Sequence, residues 1–200
     1  MDGVKCIVLN SQLLKDSSGA GAAGLRAEQW AWLKAELAAP DTAAARHVLA
    51  FCHTPPFIFE QDEPTAYFNL DVETRRELLS LFAKHGVAAC FCGHYHRNAV
   101  GTFTEPRSGN SLDVVTTGAV GTNVFSKGPG SRLEIEGMGT CREVCEDVGG
   151  LRLVHVGESK VTHKWHTFAA LKGVETLGAC GVCDEGPAAS SEHQGKKRRA

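Results

Sequence analysis

Two imidazoles one residue apart follow a glycine at the end of an apolar run, in Ala89-Cys90-Phe91-Cys92-Gly93-His94-Tyr95-His96. A third follows another apolar run, in Phe51-Cys52-His53-Thr54-Pro55-Pro56. Neutral imidazole ligates Zn, Fe, Mn or Ni, and a metal pair about 3.5–4 Å apart clamps a phosphoryl group while supplying a hydroxide for in-line attack. His94 and His96, on a turn that Gly93 permits, would reach two such ions separately, with His53 sharing the ion held by His94. Three neutral ligands do not complete such a site, because two divalent cations beside a hydroxide also call for carboxylates, one of them bridging. The plainer reading is of loop histidines that only form hydrogen bonds, with His53-Thr54-Pro55 a simple turn after a strand.

The elements that must position these residues are readable from pattern. Val4 to Leu9, Val48 to Cys52 and Val87 to Cys92 are short apolar runs that predict buried strands. Between them, Leu25 to Ala39 places Trp30, Leu33 and Leu37 on one helical face and stops at Pro40-Asp41. Val72 to Lys84 predicts a second helix, with Asp71 as N-cap, Glu73 in the first turn, Leu78, Leu79 and Phe82 on the apolar face, and His85-Gly86 as the stop. Alternation of strand and helix from Val4 to Cys92 is the signature of parallel βαβ units, in which ligands gather beyond the carboxyl ends of the strands. Asn10, His53 and His94 each fall at that end.

The connecting segments carry their own expectations. Lys15 to Gly24 reads as a surface loop, and the stretch from His53 to Asn69 as a loop over the site whose Glu60, Asp62 and Glu63 form a solvated face. Ala99 to Phe103, Leu112 to Thr117, Leu151 to Val156 and Lys160 to Trp165 read as antiparallel strands of the other half of the sheet system, the last two as a hairpin around Gly157-Glu158-Ser159. Residues 125–149 read as an insertion, and 171–200 as a disordered tail ending in the basic run Lys196 to Arg199, taken as solvated. Cys141 with Cys145 and Cys180 with Cys183 have poor spacing for a zinc site and read as unpaired thiols.

With 200 residues, 42% hydrophobic and 22% charged, the chain predicts one sizeable core. A net charge of -2 offers no broad positive field to draw in nucleic acid or an anionic membrane, so neither is an expected partner. No apolar stretch reaches the roughly 20 residues that span a bilayer, and Met1-Asp2-Gly3 leads directly into a strand with no signal segment, so the expected setting is cytoplasmic. Cys6, Cys52, Cys90 and Cys92, inside apolar runs, predict reduced, buried thiols.

Gly93-His94-Tyr95-His96, with the upstream His53-Thr54-Pro55, resembles the last two metal-binding motifs of the calcineurin-like metallophosphoesterases. Asn10-Ser11-Gln12, the Gln29 to Leu37 helix, Tyr67-Phe68-Asn69-Leu70 and Gly150-Leu151-Arg152 add to the likeness, which runs from Gly3 to about Val124 and again from Gly149 to Phe168. The resemblance implies an α/β fold: the C-terminal half of an αββα sandwich with mixed sheets flanked by helices, occupying residues 1–170. It implies that His53 and His94 bind one metal and His96 the other, in a pair of divalent ions (Mn, Fe or Zn). The implied reaction is hydrolysis of phosphomonoesters, with phosphoserine or phosphothreonine in proteins, or a small phosphomonoester, as substrate. Arg97 and Asn98 are candidates for contact with the substrate phosphate.

The family's Asp-x-His, Gly-Asp-x-x-Asp and Gly-Asn-His-Asp or Glu segments do not occur in this sequence, so the chain looks like a C-terminal part of such an enzyme. The alternative function is therefore a truncated, non-catalytic variant that binds metal weakly or acts by interaction or sequestration. Half of a sandwich also predicts an exposed apolar sheet surface and marginal stability.

Overall fold

The computed structural model describes residues 3–15, 20–120, 134–135, 139–140 and 149–171. In chain order these form β1 (Val4–Leu9), 3₁₀ turns at Ser11–Leu14 and Ala20–Ala22, α1 (Ala23–Ala38), α2 (Pro40–Ala43), β2 (His47–Cys52), α3 (Val72–Lys84), β3 (Val87–Cys92), β4 (Ala99–Thr104) and β5 (Ser111–Thr116). Next come the two-residue strands β6 (Glu134–Ile135) and β7 (Gly139–Thr140), then β8 (Gly150–Val156), β9 (Val161–Thr167) and the single turn α4 (Phe168–Leu171). Most of the expected insertion, its cysteines, and all of the tail after Leu171 lie outside the described residues.

One five-stranded sheet, ordered β1-β2-β3-β5-β4, organises the molecule. The strands β1, β2, β3 and β5 run parallel, and β4 closes one edge antiparallel to β5. The expected antiparallel pairing of β4 with β5 holds, but the two join the large sheet, with β5 parallel to β3, instead of forming the other half of the sheet system. Val114, Val115 and Thr116 are all buried, as in a strand covered on both faces, whereas β4 alternates buried and exposed residues as an edge strand does. The hairpin of β8 and β9 turns where expected and forms its own two-stranded sheet.

The two faces of the large sheet bury different partners. On one, Ile7, Leu9, Val48, Ala50, Cys90 and Cys92 pack with Leu33 and Leu37 of α1 and Leu78, Leu79 and Phe82 of α3. On the other, Leu49, Ala89, Phe91 and Val115 pack with Val156 and Val161 of the hairpin. That second cover reaches β1 at Val4 but leaves Val8 68% exposed. Cys6 projects to the same side and is exposed, contrary to the expectation that it is buried, because alternation along a strand sends residues 6 and 8 away from the helices.

The second helix forms over the residues expected of it, with the Asp71 side chain accepting from the Thr74 amide at 2.8 Å and Lys84 in the last turn. Pro40 does more than stop α1. It opens α2 from the first helical position, where its missing N–H costs nothing.

The loop between β2 and α3 is built around Glu63, which is 9% exposed and not part of a solvated face. Its carboxylate accepts from the amides of Ile58 (2.8 Å), Phe59 (3.0 Å) and Glu60 (3.3 Å) and from Asn69 Nδ2 (2.7 Å). The fully buried Arg75 of α3 donates to the Glu63 carbonyl at 2.6 Å, tying the loop to the helix. On its far side the loop lies against Gly101 of β4, where a Cβ would come within 2.5 Å of both the Phe59 carbonyl oxygen and the Phe57 ring. Gly101→Ala is expected to destabilise the protein by about 1–3 kcal/mol, the range for overpacking a tight interior. A urea denaturation midpoint unchanged from wild type would contradict this contact.

Candidate metal centre

Register sets the three strand ends level. Leu9 pairs with Cys52 and Cys52 with Cys92, so Asn10, His53 and Gly93 leave the sheet side by side at its carboxyl edge. The ends are then laced together. The Gly93 amide donates to the His53 carbonyl (3.0 Å), the Thr54 amide to the buried Ser11 hydroxyl (2.8 Å), and the Thr117 amide to the Cys92 carbonyl (2.8 Å). Asn10 accepts from the Gln12 amide and exchanges two hydrogen bonds with Gln29 of α1, which fixes the first strand end to that helix.

The turn after β3 is not permitted by Gly93 in the way the sequence suggests. The left-handed positions are the histidines themselves, with φ of 65° at His94 and 55° at His96. A Cβ on Gly93 would meet only ordinary contacts, 3.7 Å from His53 Nδ1. Non-glycine residues are uncommon in this backbone region, histidine entering it more readily than most, and such conformations concentrate at functional sites.

His53 Nε2 and His94 Nδ1 face each other at 3.1 Å. Because the Tyr67 carbonyl only accepts, the His94 Nε2 that lies 3.2 Å from it carries the proton. In the neutral ring Nδ1 is then a lone pair, and His53 Nε2–H donates to it. Two imidazole nitrogens each about 2.0–2.1 Å from one ion lie roughly 3 Å apart when their bonds diverge by about 90–100°, so this spacing fits a shared ion. Burial pushes His94 below the usual imidazole range, the bond to the Tyr67 carbonyl opposes this, and the charges of His53, Lys15 and His96 add to the lowering. The ring is thus neutral and able to ligate at neutral pH.

The carbonyl that orients His94 also accepts from Lys15 Nζ at 2.6 Å. Lys15, in sequence only the start of a surface loop, lines a cleft of about 540 Å³ with Gln12, Tyr67, Asn69, Asp71 and His94. Its ammonium lies 5.4 Å from the Tyr67 ring centroid, and burial lowers its pKa. The rings of Tyr67 and Phe68 stand 5.1 and 5.4 Å from that of His94. No spacing rule links residue 15 to residue 67; only the folded loop does.

The remaining candidates are placed as follows. His96 stands two residues beyond His94 at the same turn. Arg97 is buried, with its guanidinium 5.0 Å from the Tyr95 ring centroid and Nη1 donating to the Tyr95 hydroxyl (3.3 Å). Asn98 Oδ1 accepts from the Gly118 amide (3.1 Å) and from Arg152 Nη2 (2.7 Å). Neither residue lines the cleft. Among the described residues no carboxylate joins His53 and His94 closely enough to make a cluster of three ligands.

Arg152 also holds the hairpin to the site. It donates to Thr117 Oγ1 (3.1 Å) and faces His163 Nδ1 at 2.8 Å, while the His163 ring stands edge-on to Phe91 at 5.7 Å. Arginine has no acceptor, so His163 accepts on Nδ1 and must be neutral. Burial and then Arg152 hold its pKa below the usual value. A base depressed on folding is protonated first in the unfolded chain, so its contribution is present above about pH 6.5 and is lost as pH falls through the folded value. Thermal melts should show stability declining below about pH 6.5, and His163→Gln should flatten that decline. An unchanged slope would contradict the assignment.

No protein-family profile matches the chain. Among known proteins it is similar to the serine/threonine-protein phosphatases CPPED1 of Bos taurus (37% identical over 175 residues, 86% of this chain and 47% of that protein) and Danio rerio (36% over 169 residues, 84% and 46%). The human protein of the same name is 32% identical over 176 residues, covering 86% of this chain and 47% of its own length. A solved structure, the Plasmodium inner-membrane-complex anchor GAP50, aligns over 69% of this chain and 40% of that one at 17% identity with a TM-score of 0.45. The CPPED1 relatives are calcineurin-like phosphoesterases; the chain is similar to them over about 85% of its own length and spans about half of theirs.

Proposed function

We propose that the chain carries one side of a two-metal phosphoesterase site that hydrolyses phosphomonoesters, with phosphoserine and phosphothreonine in proteins as the substrate class. The observation that carries this reading is the 3.1 Å approach of His53 Nε2 and His94 Nδ1 at adjacent parallel strand ends. The imidazole donors suit a first-row ion such as Zn, Mn or Fe. His53 and His94 would hold one ion and His96 the other; bound there, the pair supplies Lewis acidity toward the phosphoryl group and an activated water. The chain's own groups do the rest. The Tyr67 carbonyl fixes the His94 tautomer, the Tyr67 and Phe68 rings pack beside the imidazole, and Lys15 offers a cation to the phosphate. Contact of Arg97 or Asn98 with the phosphoryl group belongs to the same proposal. A cytoplasmic setting belongs to the same proposal.

The second reading, a non-catalytic chain that binds metal weakly or acts through interaction, is favoured by the lack of a carboxylate beside the pair among the described residues. Hydrolysis of p-nitrophenyl phosphate by the purified chain with Mn²⁺, beside His94→Ala, separates the two. Metal-dependent turnover that His94→Ala abolishes supports the enzyme. Equal background rates in both proteins support the second reading.

A further inference from the structure

We propose that Cys52, Cys90 and Cys92 form a second, buried metal site: a trigonal set of sulfurs for a soft, thiophilic ion, Cu(I) foremost. It is independent of the phosphoesterase reading. Register explains the cluster. Cys90 and Cys92, two apart on β3, project to the same face of the sheet, and Cys52 is the β2 partner of Cys92. The sulfurs stand 3.6 Å (Cys52 and Cys92), 3.7 Å (Cys90 and Cys92) and 3.9 Å (Cys52 and Cys90) apart. A point equidistant from all three is about 2.2 Å from each, close to the roughly 2.3 Å at which a thiolate holds an ion of zinc's size. Coordination asks for no movement of either strand.

The donors select the ion. Thiolates favour soft ions, and zinc completes a tetrahedron with four ligands, one more than this set supplies among the described residues. Cu(I) accepts three sulfurs, and its binding exchanges S–H protons, released to solvent, for Cu–S bonds without any change of oxidation state. Cys90 is fully buried, whereas Cys52 is 9% and Cys92 6% exposed, so the ion would arrive from the carboxyl edge of the sheet. Borderline and soft ions are thereby sorted between neighbouring residues of the same strand ends, imidazoles at 53 and 94 and thiols at 52 and 92.

The test is an anaerobic Cu(I) titration of the full chain against a chromophoric cuprous chelator, followed by X-ray absorption at the copper edge. The chain contains eight cysteines, so the decisive protein carries Cys6→Ser, Cys141→Ser, Cys145→Ser, Cys180→Ser and Cys183→Ser and keeps only the proposed three. It is expected to retain one Cu(I) per chain with three sulfur neighbours. Adding Cys52→Ser, Cys90→Ser or Cys92→Ser should weaken binding by more than the roughly 10–100-fold that loss of an outer-shell partner costs a metal site. No tight Cu(I) in the five-serine protein, two-sulfur coordination, or nitrogen neighbours would overturn the proposal. Should the single serine variants fail to fold, the sulfur count in the five-serine protein decides alone.

Discussion

Glu63→Ala is expected to lower unfolding stability by about 3–5 kcal/mol, because it strands buried donors that the carboxylate now satisfies. The amides of Ile58 and Phe59 lose their acceptor and Asn69 Nδ2 loses one of its two, inside a loop that the fully buried Arg75 grips from below. Glu63→Gln keeps one acceptor oxygen and should cost less. Urea denaturation followed by circular dichroism measures both, and an alanine variant within about 0.5 kcal/mol of wild type, as for an exposed position, would mean that the loop does not depend on this residue. The effect should extend to the metal centre, since the same loop carries the Tyr67 carbonyl that orients His94.

This position also shows where the sequence was silent and where it was not. Three acidic residues within four positions look alike in composition, so Glu63 could not be separated from Glu60 and Asp62 by type. A signal existed elsewhere. Arg75 stands at helical spacing with Leu78, Leu79 and Phe82, and a cation on the apolar face of a helix demands acceptors from whatever covers it. The βαβ order, α3 and its caps were legible because period and end signals agree there. The placement of β5 was not, since a short apolar run does not state whether its neighbour is parallel, and the pairing with β3 depends on contacts far apart in the chain. The left-handed backbone of His94 and His96 and the reach of Lys15 into the cleft are likewise products of tertiary structure. The convergence of His53 and His94 was legible, because a parallel sheet places consecutive strand ends together whatever the loops between them do.

The second large effect is expected at that pair. His94→Ala should reduce affinity for Mn²⁺ or Zn²⁺ by at least about 100-fold, more than loss of an outer-shell partner costs, because it removes a ligand and the geometry that fixes its neighbour. His53→Ala should have a similar effect. His96→Gly should leave folding stability within about 1 kcal/mol of wild type, since glycine removes left-handed backbone strain while adding unfolded-state entropy, yet should weaken the second ion. Equilibrium dialysis with metal analysis distinguishes these cases. Equal loss in all three variants would point to general damage to the turn and not to a division of ligands between two ions.

The most direct measurement uses the hard ion Mn²⁺, which avoids the thiols, and protein labelled with ¹⁵N in its histidine rings. Pulsed electron paramagnetic resonance then counts the imidazole nitrogens bound to manganese. Two ring nitrogens on a single ion, falling to one in His53→Ala, is the result expected if residues 53 and 94 share a metal. Manganese coupled to no ring nitrogen, or coupling that survives both His53→Ala and His94→Ala unchanged, would contradict it.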